Sequence, residues 1–127
     1  MIVTVTLNPS IDRTAPIAGP LRRGQVNRLG SSTEVAAGKG VNISRVLRGA
    51  GIETCAVVPA GAKGRLTLGL NHDDIPHQVV PVAAAVRTNL TITEPDGTTT
   101  KINEPGADLS PEAVSYTHLR AHETLRY

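Results

Sequence analysis

The chain has 127 residues, a formal net charge of +2 and a pI near 9.0. This length is enough for one domain with a buried core and is short for most complete nucleotide-dependent enzymes. The chain contains no Phe or Trp, and its net charge falls to +1 when residues 114–127 are set aside. Residues 1–113 are therefore nearly neutral and contain no Phe, Trp or Tyr, which argues against nucleic-acid and membrane partners.

Cysteine and histidine usage excludes further classes. The single cysteine, Cys55, rules out a disulfide framework, and the four scattered histidines show no metal-ligand spacing. No basic leader followed by an apolar run opens the sequence. We therefore expect a cytoplasmic protein and no metal site within this sequence.

Three runs of apolar and β-branched residues predict buried strands. They occupy residues 2–7, 54–60 and 77–82. Because predicted helices separate these runs, we expect an α/β fold with a parallel sheet covered on both faces. Shorter and more polar strands predict a separate β flap. These are expected at about 14–18, 26–35, 87–93 and 99–103, and a Pro-Asp-Gly turn joins the last two.

Three helices are predicted. The first follows the glycine-rich turn at 38–40 and ends at Gly51. Its residues at positions i, i+3, i+4 and i+7 predict a buried apolar stripe. The stripe consists of Ile43, Val46, Leu47 and Ala50. A weaker helix is predicted at 64–74, with Leu66 and Leu70 on one side. The third opens at residues 110–112, where Ser-Pro-Glu supplies a cap and a first turn.

The last fourteen residues differ in composition from the rest of the chain. They contain both tyrosines and half of the histidines. The string VSYTHLRAHET, residues 114–124, resembles the translation of a transposase adapter used in preparing sequencing libraries. The alternative is a genuine amphipathic helix, because Leu119, His122 and Leu125 have nearly helical spacing. We expect residues 114–127 to be a non-native tail, and residues 1–113 to be the N-terminal part of a longer protein.

The glycine-rich turn fits neither of two common phosphate-binding motifs. A Walker A loop ending at Lys39 needs glycine at position 33 and Ser or Thr at position 40, where the chain has Thr33 and Gly40. A dinucleotide fingerprint starting at Gly38 needs a glycine at position 43, where the chain has Ile43. Taken alone, the glycines are better explained by close packing of the helix than by a ligand site.

Two further features favour a ligand site. Asp12 follows the first predicted strand, at the carboxyl edge where open α/β sheets bind ligands, although local capping of a turn is the simpler explanation. Arg87 and Asn89 alternate along one strand and therefore share a face, which Lys101 on the next strand could join. Such cations could bind a phosphate monoester, or they could form a solvated strand face.

Three stretches of the chain together resemble one enzyme family. TLNPSIDRT at 6–14, GKGVNISRVL at 38–47 and RTNLTITEPDGTTTKINEPG at 87–106 are similar, in order and spacing, to the phosphosugar branch of the ribokinase-like (phosphofructokinase B) sugar kinases. The resemblance covers about residues 1–113. It implies a ribokinase-like parallel-sheet sandwich, truncated, in which the β flap is a small lid. Ala37 and Gly61-Ala62 depart from the usual paired glycines.

The resemblance also implies an acceptor site. By matching position, its residues would be Asp12, Gly38, Lys39, Gly40, Asn42, Arg87, Asn89 and Lys101. Among them, the aspartate and Asn42 would bind sugar hydroxyls, and the two glycines would let the backbone approach the sugar. The other four would surround the substrate phosphate.

For a full-length protein, the resemblance implies ATP- and Mg²⁺-dependent phosphorylation of fructose 1-phosphate to fructose 1,6-bisphosphate, with tagatose 6-phosphate as the alternative acceptor. The catalytic, ATP-binding and magnesium-binding residues of the family would lie beyond residue 113, so this chain would be inactive. Two alternatives come from other classes of protein. One is a non-catalytic sugar-phosphate-binding module, and the other is an oligomerisation segment that forms a homodimer through the lid.

Overall fold

A computed structural model describes residues 1–61, 64–106 and 108–126, with side chains described as far as residue 123 in the last segment. The sequence features at Ala62 and Tyr127 lie outside the described residues. The elements, in chain order, are β1 (Ile2–Val5), β2 (Ser10–Pro16), β3 (Thr33–Ala37), α1 (Lys39–Gly49), β4 (Thr54–Ala60), α2 (Arg65–His72), β5 (His77–Pro81), β6 (Arg87–Thr93), β7 (Thr99–Asn103) and α3 (Pro111–Arg126). None of the described helices is long and apolar enough to cross a membrane.

The predicted parallel sheet is confirmed. It has three described strands in the order β1-β4-β5, and both pairings are parallel. The central strand β4 is buried along its whole length. Helix α1 packs against β1 and β4, and α3 packs against all three strands. A strand covered on both faces has no side that must be polar, which is why TCAVVPA lacks the alternation of a half-exposed strand.

The lid is a second sheet of four strands in the order β3-β2-β6-β7. Strands β2 and β6 are parallel, and the outer pairs β2–β3 and β6–β7 are antiparallel. Strands β6 and β7 have the predicted bounds, and Gly97 in the turn between them has a φ of 90°. That conformation favours glycine, so the turn chemistry identified the hairpin correctly.

The other two lid strands differ from their predicted bounds. Strand β2 begins at Ser10 rather than at residue 14, because Asn8-Pro9 makes the turn after β1 short. Strand β3 covers Thr33–Ala37 instead of 26–35. In the earlier part of the predicted strand, residues 26–32, the structure has only an isolated bridge between Leu29 and Ile17. The glycine and serines at 30–32 interrupt the earlier part of the predicted strand.

Helix α1 forms as predicted but buries a different face. Val46 is 71% exposed and Ile43 is 53% exposed, so the predicted apolar stripe is wrong. The buried residues are Gly40, Val41 and Ser44. Two of these three are small or polar because the helix lies very close to β1, where larger side chains would not fit.

A chain of buried hydroxyl groups fixes this packing. Ser44 Oγ lies 2.7 Å from Thr4 Oγ1 on β1 and 2.9 Å from Thr54 Oγ1 on β4. The Thr54 hydroxyl donates to the Ile2 carbonyl oxygen at 2.8 Å. Since each hydroxyl has one proton, Thr54 must accept from Ser44, and Ser44 must accept from Thr4. Three buried hydroxyls are thereby satisfied without water.

The second helix connects the lid to the parallel sheet. Leu66 and Leu70 of α2 are buried, as predicted. They join one apolar cluster with Ile11 and Ala36 of the lid and with Val58 of β4. The lid therefore has one face packed on the core, and its other face is available for a site.

Helix α3 starts as predicted, because Ser110 Oγ accepts a hydrogen bond from the Ala113 N–H at 3.1 Å. It continues without a break across the expected boundary at residue 113. Among its side chains described as far as residue 123, Thr117 is buried and Leu119 is exposed, and the side chain of Leu125 lies outside the described residues. On the β4 side of this helix, burial raises the pKa of the Cys55 thiol, and the nearby Arg120 charge opposes the rise.

Gly40→Ala is expected to lower the free energy of unfolding by about 1–3 kcal/mol. A Cβ at this position would lie 2.5 Å from Thr6 Oγ1 and 3.1 Å from the Val5 carbonyl oxygen. Gly49→Ala is the matched control, because no described atom beyond its chain neighbours and the adjacent helix backbone lies within 4 Å of a Cβ there. The control should be neutral or stabilising by up to about 1 kcal/mol. Urea unfolding followed by circular dichroism measures both, and equal effects would contradict the close packing of Gly40.

Candidate functional site

Four of the predicted site residues share one face of the lid. Asp12 on β2 lies directly opposite Asn89 on β6. Lys101 on β7 lies opposite Thr91, and Arg87 and Thr91 are the residues two positions either side of Asn89. Directly paired residues, and residues two apart on a strand, point to the same side of a sheet. The carboxylate, guanidinium, amide and ammonium groups therefore lie on the face opposite the one that packs on α2.

Asp12 lies within strand β2, not in a turn after the first strand. Its Oδ1 accepts hydrogen bonds from Ser10 Oγ at 2.9 Å and from Asn89 Nδ2 at 3.4 Å. The turn-capping explanation of Asp12 is therefore wrong. Its side chain instead links two strands across the lid face, and the second carboxylate oxygen is available to a ligand hydroxyl.

Arg87 begins β6 and contacts the segment before β2. Its Nη2 donates to the Asn8 carbonyl oxygen at 3.3 Å. Arg87 Nε and Asn89 Oδ1 are buried and have no hydrogen-bond partner within the described part of the chain. An unsatisfied buried polar atom costs about 1–3 kcal/mol. Two such atoms on one face, one a donor and one an acceptor, are suited to binding a polar ligand.

The glycine-rich turn lies at the end of this same face. Gly38 follows Ala37, which pairs with Ser10, and its φ of 138° favours glycine. A Cβ on Gly38 would lie 2.6 Å from Thr6 Cγ2. The Thr6 hydroxyl also accepts a hydrogen bond from the Val41 N–H at 3.1 Å, in the first turn of α1. Close helix packing, the alternative drawn from the sequence, is thus what the structure shows. Approach of this backbone to a sugar stays a prediction.

Lys39 and Asn42 lie in the first turn of α1, and both are exposed. No ion pair involving Lys39 is found among the described residues. Asn42 Oδ1 accepts a hydrogen bond from Arg45 Nη1 at 3.0 Å. Sequence reasoning missed Arg45, for which the only signal is its position three residues after Asn42 on a helix.

The eight predicted residues do not line a single cavity in the described part of the chain. A cleft next to the lid takes in Arg87 and none of the other seven. Its other lining residues are Leu7, Asn8, Pro9, Pro59, Val82, Ala84, Ala85, Val86 and Leu109. Within the described ranges, no group of three or more His, Cys, Asp or Glu side chains could hold a metal ion. The site is an open polar face bordered by an apolar cleft.

Comparison with known proteins finds similar sequences and folds among the phosphofructokinases. No family model matches the chain. The chain is 33% identical over 114 residues to the 1-phosphofructokinase of Vibrio cholerae, in an alignment that covers 86% of this chain and 35% of that protein. Its fold is similar to that of Escherichia coli phosphofructokinase-2 in complex with fructose-6-phosphate, with a TM-score of 0.87, 24% identity, and coverage of 96% of this chain and 41% of that one. In sequence and in fold, the chain is similar to part of these ribokinase-like sugar kinases.

A second solved structure is also similar to the chain. A Thermotoga maritima protein named a possible 1-phosphofructokinase has a TM-score of 0.81 and 30% identity to the chain, over 99% of this chain and 42% of that one. The ribokinase-like α/β fold predicted from the sequence is confirmed. The chain spans about a third of the length of its curated relative.

If this face binds a phosphosugar, as the resemblance implies, Asp12→Asn is expected to weaken binding of fructose 1-phosphate to the full-length protein about tenfold or more. The amide keeps an Oδ1 acceptor for Ser10 and Asn89 but loses the charge that strengthens a hydrogen bond to a sugar hydroxyl. The melting temperature should change little. Glu34→Gln is the control, because Glu34 lies on the opposite face of the lid and pairs with Arg65. Calorimetric titration measures affinity, and a similar loss in both variants would remove Asp12 from the site.

Proposed function

We propose that residues 1–113 form the acceptor-sugar site of a kinase that, at full length, transfers a phosphoryl group from ATP to fructose 1-phosphate. The observation that carries this proposal is the polar face of the lid, where Asp12, Arg87, Asn89 and Lys101 lie on adjacent strands. The name of the curated relative favours fructose 1-phosphate as acceptor. Tagatose 6-phosphate is the alternative, because the same side chains suit either phosphosugar.

The spacing of the two cations suits a phosphate group. Thr91, the partner of Lys101, lies four positions after Arg87 on the same strand, which corresponds to about 13 Å of backbone. The long side chains of Arg87 and Lys101 can close around a phosphate held between them, above Asn89. A guanidinium binds two phosphate oxygens at once, and an ammonium adds a compact charge. Asp12, directly beside Asn89, would then accept hydrogen bonds from the adjacent sugar hydroxyls.

The proposed contribution of this chain to catalysis is positioning. Holding the acceptor in one orientation removes much of the entropy cost of a reaction between two substrates. Phosphoryl transfer also needs a nucleotide, a metal ion and a base. We assign ATP, Mg²⁺ and the catalytic base to the part of the full-length protein that corresponds to the remainder of its relatives. When bound, Mg²⁺ and ATP would supply charge neutralisation and the phosphoryl group.

The proposal includes a cytoplasmic location and a homodimer formed through the lid. Strands β3 and β7 are the outer strands of the described lid sheet, and most of β7 is exposed. An exposed outer strand can pair with the same strand of a second copy. Light scattering after size-exclusion chromatography measures the oligomeric state.

We also propose that residues 114–127 are foreign to this kinase, on the basis of their composition and adapter-like sequence.

Arg87→Ala in the full-length protein is expected to raise the KM for fructose 1-phosphate by about 10- to 150-fold, the equivalent of losing a charged hydrogen bond of about 1.5–3 kcal/mol. The KM for ATP should stay nearly unchanged. Arg65→Ala is the control, because Arg65 pairs with Glu34 and with Thr88 Oγ1 on the other side of the lid. Steady-state kinetics with each substrate varied in turn tests this. An equal rise in both KM values would place Arg87 outside the acceptor site.

The 127-residue chain is expected to show no kinase activity. The described residues offer a face for the acceptor but no cluster of acidic side chains for a metal ion. Phosphoryl transfer by a family member needs such a group. An assay that couples ADP release to NADH oxidation, with fructose 1-phosphate and MgATP, measures turnover. Sugar-dependent turnover by this chain would contradict the assignment of the nucleotide site to the rest of the protein.

A further inference from the structure

The guanidinium of Arg45 connects three segments near the glycine-rich turn. Its Nε and Nη2 donate to Asp73 Oδ2, at the end of α2, at 3.2 and 3.0 Å. Its Nη2 also donates to the carbonyl oxygen of Ala36 on β3, and its Nη1 donates to Asn42 Oδ1 at 3.0 Å. The fork of one arginine thus contacts the lid, α2 and a predicted sugar-binding side chain at once.

These bonds determine what Asn42 can offer a ligand. A guanidinium has only donors, so the amide of Asn42 must turn its oxygen toward Arg45. Its NH₂ group is then left to face outward as a donor to a hydroxyl or phosphate oxygen. The bond to the Ala36 carbonyl also holds the backbone two residues before Gly38, where β3 ends and the turn begins.

We propose that Arg45 is a positioning residue of the acceptor site, which sets the amide orientation of Asn42 and the backbone of the glycine-rich turn. This inference rests on the proposed function, because Asn42 binds the sugar only if residues 1–113 form that site. Arg45 itself does not need to touch the substrate.

Arg48 provides a matched comparison on the same helix. Its Nη2 donates to Asp74 Oδ2 at 2.9 Å, and its Nε donates to the Asp74 carbonyl oxygen at 3.2 Å. Both arginines therefore connect α1 to the end of α2. The side chains of Arg45 and Asp73 are 31% and 27% exposed, whereas those of Arg48 and Asp74 are 50% and 85% exposed. Only the Arg45 guanidinium reaches Asn42 and the lid among the described contacts.

The test compares Arg45→Lys with Arg48→Lys in the full-length protein. A lysine keeps the charge, but its single nitrogen cannot contact all three acceptors of Arg45. Arg45→Lys is expected to raise the KM for fructose 1-phosphate about tenfold and to leave the KM for ATP within about twofold. Arg48→Lys should leave both KM values within about twofold. An equal rise in both variants would show simple anchoring of α1 and overturn the inference.

A double-mutant cycle separates this inference from the proposed function. Asn42→Ala alone should raise the KM for fructose 1-phosphate. Adding Arg45→Lys to it should raise that KM by a clearly smaller factor than Arg45→Lys does alone, because only the contact with the turn is then left to lose. If Asn42→Ala has no effect, the proposed acceptor site fails. If Asn42→Ala has an effect and Arg45→Lys has none, or if the two effects multiply, the site stands and the positioning role of Arg45 fails.

A second variant covers the case in which Arg45→Lys does not fold. Asp73→Asn leaves Arg45 intact but weakens the bonds that orient its guanidinium. It should raise the KM for fructose 1-phosphate by a smaller factor and shift the side-chain NH₂ resonances of Asn42 in the free protein. Unchanged resonances together with an unchanged KM would overturn the inference.

Discussion

The close approach of α1 to β1 is the constraint on which both the fold and the site depend. Gly38 and Gly40 leave no room for a Cβ beside Thr6, so the helix begins almost in contact with the strand. Ser44 then fills the next turn with a hydroxyl that is bonded on both sides. Because these contacts use small residues, the start of α1 has little freedom to shift. Packing at the start of α1 therefore holds the glycine-rich turn in place, with or without a bound ligand.

This packing explains why periodicity predicted the helix but not its buried face. The pattern of Ile43, Val46 and Leu47 correctly indicates a helix, since apolar residues at this spacing lie along one side. The described chain covers β1 with a neighbouring side of α1, where two of the three buried residues are small. Hydrophobicity alone cannot rank a Gly-Val-Ser face above an Ile-Val-Leu face. Only the distance to the neighbouring strand decides between them, and a sequence does not state that distance.

Other parts of the structure follow from local signals. The bounds of strand β4 are predicted correctly, because seven consecutive residues can all be buried in a parallel sheet. The β6–β7 hairpin is predicted because a Pro-Asp-Gly turn sets the register, and the register places Lys101 on the same side as Asn89. The sequence leaves turn capping as the simpler explanation of Asp12, because nothing nearby shows that it pairs with Asn89, 77 residues later. Arg45 was missed for the same reason, as Asp73 is 28 residues away.

The acceptor face has one firmly held end and one exposed end. At the first end, Arg87 bonds the Asn8 carbonyl, and the turn is held by its packing on Thr6 and by Arg45 through Ala36. At the other end, Lys101 lies on β7, an outer strand with few buried residues. Segments with little burial open locally at low free-energy cost. In the proposed site, the sugar would therefore meet a preorganised surface at the turn, whereas the Lys101 end can adjust to close on the phosphate. With this arrangement, the loss of conformational freedom on binding would be confined to one short strand, β7.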